Sequence, residues 1–232
     1  MLRVLFGEPP RQEQGQYLHT VNAIRDFNRQ LRKTFNHGEV DNKWVRLNVW
    51  AIGLHTALSE FEQSLYCSHR FGQLVSSSYL DVMTAEERAD YYRHIYFYKD
   101  AVIRLFSLLD KTGYFLDLLY GLETAKVKQK FSYFTVLRQM HKTNTHKRLE
   151  QKLFDLKVKY REPLDKLRKK RNLEIHSLNA ELIDDNWHTG TSFITRIRIE
   201  PIKVNSEELQ HSMDMVCQSL TEIFRYSKGV LR

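Results

Sequence analysis

From Leu149 to Leu182 the large apolar residues follow one another in steps of three and four. Leu149, Leu153, Leu156, Tyr160, Leu164, Leu167, Ile175, Leu178 and Leu182 keep that rhythm except for one gap of eight, and Arg171 fills the gap in phase. Steps averaging 3.6 place side chains on one stripe of a helix, whereas a strand would send them alternately to two faces. A stripe this long must be buried against other helices. It predicts a basic helix over about 145–183 in a mostly α protein. Pro163 interrupts the run and disfavours helical geometry at Glu162. Because the phase survives the proline, a kink or tight junction is expected there rather than a long linker.

Similar spacing recurs along the chain. Tyr17, Val21, Ile24, Leu31 and Phe35 predict a helix over about 16–35, ended by His37-Gly38. Leu54, Leu58, Phe61 and Leu65 predict a second over about 43–72. Thr84-Ala85-Glu86-Glu87 reads as a capping box opening a third, through Tyr91, Ile95, Tyr98, Val102, Leu105 and Leu109 to a stop at Lys111-Thr112-Gly113. The aromatic residues of this third helix (Tyr91, Tyr92, Tyr96, Phe97, Tyr98, Phe106) sit at helical spacing and suit a core better than base stacking. Shorter helices are expected over about 114–124 and 127–140, and a final one over about 205–229, capped by Asn205-Ser206-Glu207-Glu208. Residues 192–200 alternate in part and are rich in β-branched types, which predicts one strand of a small hairpin inserted before the last helix. Its partner is either 182–187 or the amino-terminal 3–6. With only 9 glycines and 4 prolines among 232 residues, one all-α domain spanning the chain is the simplest architecture.

Charge separates one region from the rest. Between Lys126 and Arg171 there are 16 lysines and arginines against four acids (Glu150, Asp155, Glu162, Asp165), a balance of +12. The whole chain carries +8, so the remainder carries −4. A field concentrated in this way attracts a polyanion, either nucleic acid or an acidic protein, unless it is only a solvated helix face. Two cysteines, Cys67 and Cys217, suit buried thiols in a reducing compartment better than a disulfide framework. The first residues lack the apolar run of a secretory signal, and no stretch approaches the length of a membrane span. These features lead to the expectation of a cytoplasmic protein without membrane contact. His141 and His146 have no nearby cysteines or clustered acids, so no metal site is expected. Asp184-Asp185 reads as a loop, and Glu60 and Glu62 cannot converge from one helix. No GxSxG, GxGxxG or P-loop is present, which argues against the common hydrolase and nucleotide folds.

The chemistry concentrates in Lys170-Arg171-Asn172-Leu173-Glu174-Ile175-His176. Arginine holds phosphate, and histidine moves protons near neutral pH. Composition alone yields about 0.8 Arg-x4-His pairs by chance, and Arg32 with His37 is another. Context distinguishes Arg171: it occupies an apolar row, where a charge is costly unless it is paired or faces a wet cleft. Asn172 and His176 are four apart and share a face, and Arg168 extends that line one turn earlier. The opposing reading makes His176 a surface residue and pairs Arg171 with Glu174 or a core acid.

Arg171-Asn172-x-x-x-His176 resembles the Arg-polar-x-x-x-His signature of the HEPN superfamily of helical domains. The late position of the motif on a long helix agrees with that resemblance. It implies an HEPN-like helical bundle and a metal-independent endoribonuclease, with catalytic Arg171, Asn172 and His176 and no cofactor. Arg168, Lys169, Lys170, Lys159 and Arg161 would bind RNA phosphates. The resemblance also implies a homodimer that pairs two motifs, and a toxin or defence role with a nucleotidyltransferase-like antitoxin as partner. Because some superfamily members do not cleave RNA, the alternative is a non-catalytic module that binds RNA or a protein.

Overall fold

A computed structural model describes residues 2–35, 42–127, 131–176 and 197–230, without the side chains of Thr34, Phe35, Ile175 and His176. Among them are nine helices: α1 (Leu2–Leu5), α2 (Gly15–Phe35), α3 (Asn42–Gly72), α4 (Ala85–Tyr120), α5 (Thr124–Val127), α6 (Tyr133–Thr143), α7 (Lys147–Lys159), α8 (Arg161–His176) and α9 (Ile202–Val230). The long helices α3 and α4 make the most extensive pairing, and α2 lies against α9. Leu54, Leu58 and Phe61 of α3 meet Leu105, Leu108 and Phe115 of α4 in a core that also takes Ile24 and Phe27 of α2 and Phe224 of α9. Phe27, Phe115 and Phe224 form a ring cluster with centroids 5.0–5.7 Å apart. Removing any of these rings would cost about 3–5 kcal/mol.

The expected all-α class holds, and the leucine stripe is buried over its described part, with Leu156 only partly so. Leu149, Leu153, Leu164 and Leu167 are at most 2% exposed. The stripe is carried by two helices instead of one. Tyr160 breaks the run with φ −105°, and α8 starts at the next residue. Pro163 is the third residue of α8, where the N–H it lacks would have had no intrahelical partner. The junction is therefore tight, and the apolar phase passes through it. His176 is the last residue of α8, so the continuation expected to 183 lies outside the described residues.

The predicted stop at Lys111-Thr112-Gly113 is wrong, because α4 continues to Tyr120 and ends on Gly121 in a left-handed cap (φ 62°). Gly113 serves packing instead. A Cβ there would come within 3.0–3.1 Å of the Tyr133 backbone, so its absence lets the start of α6 abut α4. The expected helix over 114–124 is thus the tail of α4. Asn205 is no cap either, being buried three residues inside α9. At Thr84 the hydroxyl accepts from the Glu87 N–H as expected. The Glu87 carboxylate turns away from a capping box and accepts from the backbone N–H and hydroxyl of both Ser76 and Ser77.

The expected β insertion is also corrected. Among the described residues there is no strand, only an antiparallel bridge between Arg198 and Tyr79. Leu80 donates to the Ile197 carbonyl and Ile199 to that of Ser78. The partner lies in the α3–α4 connection, and Arg3 belongs to a helix. Residues 182–187 and 192–196 lie outside the described set. The bridge still matters, because it fixes the chain just before Glu200, which reaches α8.

Candidate functional site

The carboxy-terminal half of α8 is fastened to its surroundings at three points. Lys170 Nζ donates to Glu200 Oε2 (3.0 Å) and to Asn205 Oδ1 (2.7 Å), above the Tyr98 ring. Glu174 pairs with Lys99 of α4 at 2.6 Å. Arg171 lies 5.0 Å over the ring of Phe106 on α4. These contacts hold the backbone of the motif against α4 and α9.

Arg171 pairs with neither Glu174 nor, within 4 Å, any other described carboxylate. Its Nε and Nη2 donate to Asn172 Oδ1 at 3.2 and 2.8 Å, so the asparagine orients the guanidinium directly. The charge of Arg171 also acts on Asp110 of α4. Burial pushes that carboxyl above its usual range, while the Tyr133 N–H it accepts and the charge of Arg171 act in the opposite sense. A planar cation that stacks on a ring and keeps N–H groups uncommitted is suited to a phosphate. The backbone of His176 is placed one turn beyond Asn172, on the same side of α8; its side chain lies outside the described set.

The other predicted phosphate ligands part company. Arg168 lies over the Phe134 ring (4.8 Å) and donates to Asp165 (3.1 Å), and Arg161 approaches the same carboxylate at 3.5 Å. Both line a groove of about 510 Å³ between α6, α7 and α8. Lys159, across the Tyr160 break, lines a different hollow between α2, α7 and α9, beside Asp155 and Glu222. Lys169 is exposed. Lys170, expected to meet phosphate, is instead taken up by Glu200 and Asn205. A compact ammonium flanked by a carboxylate and a buried amide has its charge already answered.

Phe106 and Asp110 were not legible as site residues, because they come from α4, some 60 positions away from the motif. Tyr91, Tyr98 and Phe106 are buried as expected of core aromatics, while Tyr92 and Tyr96 are exposed. The two histidines of the basic region go to separate partners. His141 Nδ1 is 3.2 Å from Glu150, and His146 Nδ1 is 3.1 Å from the Tyr226 hydroxyl. Among the described residues no group of three His, Cys, Asp or Glu side chains is arranged to hold a metal ion. Both cysteines are buried, which pushes their thiols up to about 11 and leaves them unreactive. No described helix is long and apolar enough to cross a membrane.

A family model described as Cthe2314-like HEPN matches residues 50–228, from within α3 to near the end of α9. The match covers the whole of α8 and leaves α1 and α2 outside. No curated protein and no solved structure matches the chain significantly.

Proposed function

Since the chain belongs to the Cthe2314-like HEPN family, we propose that it is a metal-independent endoribonuclease built as one helical domain and acting as a symmetric dimer in the cytoplasm. One copy of His176 takes the proton of a ribose 2′-hydroxyl as that oxygen attacks the adjacent phosphorus. The bond from phosphorus to the 5′-oxygen breaks, and the second copy of His176 delivers a proton to the leaving oxygen. The products are a 2′,3′-cyclic phosphate and a 5′-hydroxyl. Arg171 binds the scissile phosphate and stabilises the charge that builds on its oxygens. Asn172 keeps the guanidinium aimed.

The observation that carries this reading is the state of Arg171: placed 5.0 Å over the Phe106 ring, oriented by Asn172 and without a carboxylate in salt-bridge range among the described residues. An arginine placed in this way is suited to holding a phosphate. In a toxin or defence setting, a nucleotidyltransferase-like antitoxin would be the partner that restrains it. The test is incubation of mixed RNA with the protein in EDTA. Wild type is expected to cleave, and His176→Ala to be slower by about 10²-fold or more. Equal cleavage by the two proteins sinks the assignment. RNA binding without cleavage in either identifies a non-catalytic HEPN module.

A further inference from the structure

The groove between α6, α7 and α8 is more than an extension of a basic face. Its walls carry four cations, Arg138, Lys157, Arg161 and Arg168, against the single carboxylate of Asp165. They also carry two phenyl rings, Phe134 and Phe154, the latter 42% exposed. Each ring has a cation over it: Arg168 lies 4.8 Å from the Phe134 centroid and Lys157 5.4 Å from that of Phe154. Asp165 stands between Arg161 and Arg168 and occupies part of their hydrogen-bonding capacity.

The occupant follows from this pairing. An acidic protein would find the charge but would leave the rings unused. A duplex keeps its base faces stacked inside and offers phenyl groups nothing to meet. An unstacked single strand offers both chemistries at once, phosphates for the arginines and flat base faces for the rings and guanidinium planes. The direction of the groove agrees. Arg161, Arg168 and Asn172 fall on one side of α8, and ten residues of helix from Arg161 to Arg171 span about 15 Å. A strand that passes Asn172, the neighbour of Arg171, would therefore run on along the groove.

We propose that this groove binds a single-stranded stretch of RNA flanking the scissile phosphate, with bases against Phe134 and Phe154 and phosphates on Arg138, Arg161 and Arg168. The proposal rests on the RNA reading above but not on cleavage.

It is tested by the anisotropy of a labelled oligouridylate and of an RNA duplex, titrated with the full chain in EDTA on a His176→Ala background. The single strand is expected to bind more tightly than the duplex. Phe154→Ala should weaken single-strand binding about tenfold, in line with loss of one stacked base. Arg161→Gln with Arg168→Gln should lower the slope of log affinity against log salt by about 1.4, at about 0.7 per phosphate contact. Asp165→Asn frees both arginines and should tighten binding a few-fold, a gain that misfolding cannot mimic. If the background protein binds RNA but all these variants match it, the groove is excluded and the RNA reading stands. A duplex held as tightly as the single strand also overturns the groove. If the background protein binds no RNA at all, the RNA reading fails and takes the groove with it.

Discussion

The two faces of α8 carry the same sign of charge and use it in opposite ways. Toward α9 the helix presents lysines: Lys166 reaches Glu208 at 3.3 Å, and Lys170 reaches Glu200 and Asn205. Toward α4 and α6 it presents arginines, Arg168 over Phe134 and Arg171 over Phe106. An ammonium is a compact point charge satisfied by a carboxylate, whereas a guanidinium can rest its plane on a ring and still point donors elsewhere. The lysine face is spent on holding the fold, and the arginine face is the one proposed to meet RNA. Charge balance alone, at +12 over this region, does not separate the two.

The sharpest way to break this contrast is to keep the charge of Arg171 and remove its shape. Arg171→Lys is expected to slow RNA cleavage by about 10²-fold or more, the scale of losing a transition-state donor. Cleavage at the wild-type rate would mean that a point charge suffices and that the stacked geometry has no role. A smaller effect, on stability, is expected from the other face. Lys170→Met leaves the buried Asn205 carbonyl oxygen without its donor and should lower unfolding free energy by about 1–3 kcal/mol, read in a urea titration. RNA affinity per folded molecule should not change. Arg168→Met should do the reverse, and matching behaviour of the two variants would erase the distinction.

The smallest effect concerns Asp110, which burial pushes upward against the field of Arg171 and the hydrogen bond from Tyr133. A carboxyl with a raised folded pKa contributes stability that is fully present below its unfolded value and is lost as pH rises through the folded one. Relative to Asp110→Asn, wild type should therefore lose thermal stability as pH climbs above about 4. A parallel pH dependence of the two proteins would show that Asp110 carries no net shift, so that burial does not outweigh the Tyr133 hydrogen bond and the charge of Arg171.

Much of the architecture was legible in periodicity. The stripes on α2, α3 and α9 fall where spacing places them, and the junction near Pro163 is tight as the phase demanded. Errors gathered where a residue type has more than one use. Gly113 looked like a helix stop, yet it is a contact point for the Tyr133 backbone. Asn205 looked like a cap, yet it is a buried partner of Lys170. Glu87 looked like half of a capping box, yet it binds the Ser76-Ser77 turn, which holds its carboxyl down at about 2.

The site divides along the same line. Local sequence was enough to propose Arg171, Asn172 and His176 as candidates, because their relation is set by helical geometry over one or two turns. The same holds for the anomaly of an arginine in an apolar row. It could not say that the row at Arg171 ends on the Phe106 ring, that Lys170 faces Glu200, or that Arg168 and Lys159 line different hollows. Those facts depend on which helix lies opposite, and that is set by packing between segments distant in the chain. A helix determines which residues share a face. Its neighbours determine whether a charge on that face is neutralised, stacked or left for a ligand.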